Sequence, residues 1–210
     1  MRKHLNTRQT LRCGFTMIEL IIGMSITVLV LGAVASFTFA VAAAWKANDA
    51  QSEASTVASV ATARVGAMLR GVKAAGAIQP GSFDDKSADP AAVVVWVSDL
   101  NDDDAIQLSE LELLYYETDN KLVCRYQRPS ALVDETVAPA AFANVAMVTR
   151  LHKDFDRVPM LSRIDGLRFY RLSAGAKAGA IEAQFRVRSG KLNQVYSMVI
   201  ALRSGVTDPN

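Results

Sequence analysis

Arg12-Cys13-Gly14-Phe15-Thr16-Met17-Ile18-Glu19-Leu20-Ile21-Ile22-Gly23 is the stretch on which the reading of the chain turns. A basic leader without acids, carrying Arg2, Lys3, Arg8 and Arg12, stops at Gly14. An apolar run opens at Phe15 and holds one acid, Glu19, a single helical turn in. From Leu20 to Ala44 no residue is charged. That is enough helix, at ~1.5 Å per residue, to cross a hydrocarbon layer about 30 Å thick. A carboxylate in such a segment costs about 2.5–3.5 kcal/mol on insertion scales. The strongly apolar residues up to Val41 each return roughly 0.3–0.6 kcal/mol, so the segment still inserts. Glu19 is tolerated there but calls for a partner. The leader cations keep the N-terminus cytoplasmic, so everything after Trp45 faces outward, with Trp45 and Lys46 as interface anchors.

The stretch resembles the N-terminal signature of the type IV pilin and type II secretion pseudopilin superfamily. That pattern is a basic leader, then Gly (here Gly14), then Phe (Phe15), then a hydrophobic segment with Glu fifth after the cut (Glu19). The resemblance covers about the first forty residues. It implies cleavage of the Gly14–Phe15 bond by a prepilin peptidase, N-methylation of Phe15, and a role for Glu19 in filament assembly. The cut would create a cationic amine on Phe15, four residues from Glu19 and on the same helix face. The amine and the carboxylate could pair within one chain, or dock one subunit against the next. The implied partners are the peptidase/methyltransferase, other pilin or pseudopilin subunits, an inner-membrane assembly platform and the lipid bilayer. The implied location is the bacterial inner membrane, single-pass, with the head periplasmic, and then a pilus or pseudopilus.

Two plainer readings compete. Glu19 can be an interfacial acid at a helix start. Ala33-Val34-Ala35 satisfies the small-x-small rule of a secretory signal peptide, which would release a chain starting at Ser36. That would make the protein a secreted or signal-anchored binding domain that never polymerises. Against it, the apolar run exceeds the usual ~7–15-residue core of a signal peptide and continues through Phe37, Phe39 and Val41.

Composition narrows the classes further. At 210 residues and 22.7 kDa the chain suits one domain plus a membrane segment. The formal charge of +2 owes four positives to the leader; without them the chain has nineteen basic and twenty-one acidic residues. A near-neutral domain with no basic cluster argues against direct nucleic-acid binding. Cys13 leaves with the leader, so Cys124 is expected to be unpaired, a buried small side chain in a strand.

The expected organisation is a leader (1–14), a membrane helix (15–45), its amphipathic outer half (46–79) and a β-rich head (80–210). Val57, Ala61, Val65, Met68, Leu69 and Val72 recur at three- and four-residue spacing, one apolar stripe. With no proline before Pro80-Gly81, the helix is predicted to run to about Ile78, on the order of 95 Å. Beyond it the period becomes two. Val93–Val97 reads as a buried strand, and Ile106–Glu117 as a strand with a break near Glu110. Asp119-Asn120 reads as a two-residue hairpin turn before Lys121–Gln127. The stretch 128–163, with Pro129, Pro139 and Pro159, is a long connection with one element near Phe142–Leu151. Leu167–Arg171, Ile181–Arg188 and Gln194–Arg203 are strands, the last two joined by Ser189-Gly190-Lys191. The fold class is α+β, with the long helix against one face of an antiparallel sheet, pilin-like.

The head is similar in pattern to the J-type minor pseudopilins and the large minor pilins. The similarity rests on Leu114-Tyr115-Tyr116, a hairpin, Ile164-Asp165-Gly166-Leu167-Arg168-Phe169-Tyr170 and a terminal Ala201-Leu202-Arg203. It implies a minor, tip-proximal structural subunit and not an enzyme. One departure is Ser36, where many pilins carry a helix-loosening proline. His4 and His152 stand apart, so no metal-binding His pair or nucleophile–His set is available nearby. The glycines of Gly175–Gly179 resemble a hairpin loop more than a phosphate cradle. Asp99, Asn101, Asp102, Asp103 and Asp104 offer hard oxygen ligands that Ca²⁺ would accept, as the single cofactor candidate; their spacing matches no EF-hand, and acidic loops are commonly just solvated.

Overall fold

The computed structural model describes residues 15–84, 89–98, 104–173, 179–190 and 192–202. The chain divides into two compact units between Asn48 and Asp49.

The first unit is helical. Helix α1 begins at Met17 and ends at Arg70. Its N-terminal part is exposed on all sides: Leu20, Ile21, Leu29, Val34, Phe37 and Phe39 are each more than half accessible. Hydroxyls within this run do not stay unsatisfied. Ser25 donates to the Ile21 carbonyl (2.8 Å), Thr27 to Gly23 (2.8 Å), Ser36 to Gly32 (2.9 Å) and Thr38 to Val34 (2.8 Å). Each folds back one turn onto a backbone carbonyl, so the hydroxyl is bonded within the helix itself. The helix runs unbroken through Gly23, Gly32 and Ser36.

The second unit is built on the rest of α1. Ala54, Ala58, Ala61, Val65 and Leu69 are fully or nearly fully buried, while Val57 and Met68 are half-buried at the margin. The expected stripe is therefore present, rotated slightly toward its alanines. Small residues on the seam let the helix lie close to the strands.

The helix stops eight residues short of the predicted end. Ala74–Gln79 is strand β1, not helix. After Arg70 the Val72 amide closes a last turn on Leu69, and the Lys73 amide donates to the Trp96 carbonyl at 2.8 Å. Alanine's helix preference is worth only a few tenths of a kcal/mol per residue, and pairing with β2 (Ala92–Trp96) overrides it. Gly76 shows why small residues are needed: a Cβ there would lie 2.4 Å from the Phe142 carbonyl oxygen.

The fold is α+β with two antiparallel sheets, not one. The first has the order β1-β2-β3-β4-β5, with β3 Leu111–Glu117, β4 Leu122–Gln127 and β5 Asp156–Leu161. The second is β6 (Gly166–Ser173), β7 (Gly179–Ser189) and β8 (Leu192–Ala201). One core joins the α1 stripe to Val93, Val95 and Leu114 of the first sheet and to Phe169, Ile181 and Phe185 of the second. A second core covers the other face of the first sheet, where Ala92, Val94 and Leu113 meet Phe142, Val148 and Leu151. Strand β2 is buried along its whole length, as its unbroken apolar run requires.

Several local readings are corrected. The connection 128–163 holds helix α2 (Pro139–Phe142), helix α3 (Ala146–Asp154) and β5. Pro159 is tolerated in β5 because that strand is an edge. The β3–β4 turn is Thr118–Lys121, four residues rather than two, with Lys121 at φ 52° and Glu117 opposite Leu122. The break at Glu110 is a 3-10 turn, Leu108–Glu110, before β3. Its acid is 2% exposed and accepts from the Trp96 indole N–H at 2.9 Å.

Candidate functional site

The helix start carries the candidate site. Thr16 and Glu19 form a reciprocal pair. The Thr16 amide and hydroxyl donate to Glu19 Oε2 at 2.9 and 3.0 Å, and the Glu19 amide donates to Thr16 Oγ1 at 3.3 Å. This is a capping box: the hydroxyl satisfies one orphan amide of the first turn while the acid reaches back to the amide of the cap. The sequence reading missed it, although Thr-x-x-Glu before an apolar run was the available signal. Phe15 is 84% exposed, and Glu19, Leu20, Gly23 and Met24 follow it around an open apolar groove. Glu19 keeps Oε1 without a partner among the described residues. Gly14 lies outside the described residues.

The calcium candidate is mostly outside them as well: Asp99, Asn101, Asp102 and Asp103 are not among those described. Asp104 is, with φ 54°, and its carboxylate lies 3.8 Å from the Lys73 ammonium. No group of three or more His, Cys, Asp or Glu that could hold a metal occurs among the described residues.

Two charged clusters appear that the sequence did not announce. Glu117, at the end of β3, accepts from Arg157 through Nε and Nη2, from Asn120 (3.0 Å) and from Tyr126 (3.2 Å). The Arg157 bonds hold its carboxyl down to about 2, against the opposing push of partial burial. Cys124 donates to the same carboxylate at 3.4 Å; burial first, then that acid, raises its thiol to about 11. It is fully buried and unpaired, a packing thiol. His152 stacks on Tyr115 and Tyr126 with ring centroids 4.4 and 4.9 Å apart.

The other cluster lines a polar cleft. Asp165 accepts from Lys121 at 2.6 Å and faces Arg186 at 3.4 Å; burial alone would raise its carboxyl, but Lys121, Arg186 and Arg188 together outweigh it and lower it. Phe83 lies between the Arg168 and Arg186 guanidiniums, 4.2 and 5.1 Å from its ring centre. Lys121 is held by Asp165, and Arg186 by Asp165, Asp84 and the Phe83 ring, which clamps the 80–84 loop to the second sheet; Arg188 lines the same cleft.

No protein-family model, curated protein or solved structure matches the chain. Among the described residues, α1 is long and apolar enough to cross a membrane, and none of its most apolar window is buried.

Proposed function

We propose that this chain is a minor pilin or pseudopilin. In this reading it is a structural subunit cut at Gly14–Phe15, N-methylated on Phe15 and built into a short periplasmic pseudopilus or a pilus. The observation that carries the reading is the order of parts at one helix start. A basic leader meets Gly14-Phe15, and a capped helix, apolar all round, then holds its single acid at Glu19. A signal peptide has no use for that acid. An assembling subunit does, because a newly exposed amine in lipid needs a counter-charge. An α+β head behind the helix suits a subunit displayed outside the membrane. Leader removal and methylation would be performed by a prepilin peptidase on this chain as substrate, and other subunits and an inner-membrane platform would be its partners.

Intact-mass measurement of the chain, extracted from membranes of a host with a prepilin peptidase, tests this directly. The expected species starts at N-methyl-Phe15. Replacing Gly14 with a bulky residue should leave the leader attached. A chain starting at Ser36 would overturn the proposal in favour of an exported binding domain.

A further inference from the structure

We infer that the polar cleft beside Asp165 binds a zwitterion, a ligand whose carboxylate pairs with Arg188 and whose ammonium group pairs with Asp89 or Asp119.

The walls of the cleft are fixed by the fold. Strand β7 alternates, so Phe185 and Val187 turn into the core while Arg186 and Arg188 share the opposite face. The 80–84 loop lies over that face because Gly166, opposite Arg186, leaves room for the Phe83 ring; a Cβ on Gly166 would come within 2.6 Å of it. Tyr116 is 4% exposed and lines the cleft, with its hydroxyl donating to the Ile164 carbonyl at 3.0 Å. The β3–β4 turn supplies the remaining wall. Lys121 sits there at φ 52°, a left-handed conformation that favours glycine or asparagine, and its ammonium is held 2.6 Å from Asp165. The space between these walls is about 430 Å³, within the range of small-ligand sites.

Three acids, Asp89, Asp119 and Asp165, and three cations, Lys121, Arg186 and Arg188, line it. Some of these charges already satisfy one another. Asp165 takes Lys121 at 2.6 Å and Arg186 at 3.4 Å, and Arg186 also reaches Asp84 at 2.8 Å. Arg188 stays apart: it acts on the Asp165 carboxylate through space, yet makes no hydrogen bond, ion pair or ring contact among the described residues. Every other arginine among them meets a carboxylate, a carbonyl or a ring. Asp89 and Asp119 are likewise exposed, with neither a hydrogen bond nor an ion pair there.

The unpaired charges define the ligand. An exposed guanidinium on an open surface is simply solvated, but this one shares a concavity with two unpaired acids. A pure anion drawn to Arg188, a phosphate above all, meets three carboxylates, and a pure cation drawn to the acids meets three cations. A ligand carrying both signs meets an opposite charge at each end. The planar fork of arginine suits a carboxylate, which it can bind through two parallel bonds. Such a pair of charges comes from a free amino acid, or from adjacent acidic and basic side chains on a segment of another protein.

Amide-shift titration by NMR on the full chain in detergent tests the cleft and separates the two sources, using glycine and a Lys-Asp dipeptide capped at both ends. At least one should give saturable shifts confined to Lys121, Asp165, Arg188 and their neighbours; whichever binds names the source. N-acetylglycine, which keeps only the carboxylate, and glycinamide, which keeps only the ammonium, should each bind about tenfold or more weakly than glycine if glycine is the ligand, and the dipeptide with Gln for Lys or Asn for Asp likewise if the dipeptide is. Arg188→Gln removes a side chain with no contact in the fold and should weaken binding by about tenfold or more, as should Asp89→Asn combined with Asp119→Asn. No saturable shift from either probe would leave these charges as solvated ones and overturn the inference. So would equal binding of the single-charge analogues, tighter binding of inorganic phosphate, or full affinity in Arg188→Gln. Only the head is involved, so these outcomes and the Phe15 mass measurement fail separately.

Discussion

Glu19→Gln separates two roles that the helix start combines. In the folded chain Glu19 closes the capping box with Thr16 through Oε2, at 2.9 Å to the amide and 3.0 Å to the hydroxyl. Glutamine can make the same box, since its carbonyl oxygen accepts as the carboxylate does. What the substitution removes is the charge. If Glu19 only caps, Glu19→Gln is silent, while Thr16→Ala and Glu19→Ala each cost about 1 kcal/mol and fray the first turn. If Glu19 also neutralises the amine of Phe15, its own or a neighbour's, Glu19→Gln leaves a cation unpaired in lipid, at roughly 3–5 kcal/mol. At about 1.4 kcal/mol per decade, that lowers incorporation by two to three orders of magnitude. Insertion should be equal or better, because the acid was a cost there. Processing should survive, since the bond to be cut lies four residues away. The assay is crosslinking of processed subunits into sheared filaments, with Thr16→Ala as the capping control. A Glu19→Gln chain that is cleaved, yet enters filaments at the wild-type level, refutes the pairing role and leaves Glu19 as a cap.

Three further outcomes concern the head, each measured on the detergent-solubilised chain. Cys124, fully buried with its thiol raised to about 11, should resist iodoacetamide at pH 8 in the folded chain and react once denaturant unfolds it; rapid labelling of the native form would contradict its burial. Gly76→Ala should destabilise by about 1–3 kcal/mol in a denaturant melt, because the new methyl meets the Phe142 carbonyl and ring; an unchanged midpoint would show that this contact is loose. Glu117 has its carboxyl lowered to about 2 from an ordinary value near 4.5, so its contribution is complete above the unfolded value and fades as pH falls toward 2. Melts from pH 5 to 2 should therefore decline less steeply for Glu117→Gln than for the wild type, and parallel curves would mean the Arg157 pair carries no linkage.

The elements legible from sequence are those whose signal is local. The length and uniform apolarity of 20–44 specify a membrane-compatible helix without reference to anything else. Strict alternation through Ile181–Arg188 specifies β7, and its buried residues are the ones the alternation names. The unbroken Val93–Val97 run specified a strand covered on both faces, and Cys124 in its strand pattern a buried thiol. The Thr16–Glu19 box was legible too, but attention to the acid's charge hid its hydrogen bonding.

Tertiary structure decided what depends on distant partners. Ala74–Gln79 is alanine-rich and reads as helix; it is strand because β2 offers a ladder and Phe142 leaves no room for anything larger than Gly76. The elements of 128–163 were obscured by three prolines, and α3 forms because the far face of the first sheet needs Val148 and Leu151 over it. Glu117 with Arg157, and Asp165 with Lys121 and Arg186, unite residues from 20 to 45 positions apart, which no local pattern records. The split into two sheets is likewise a property of pairing. Periodicity says which residues are inward; only the partners of each strand say which sheet it joins, because the ladder bonds tie residues far apart in the chain.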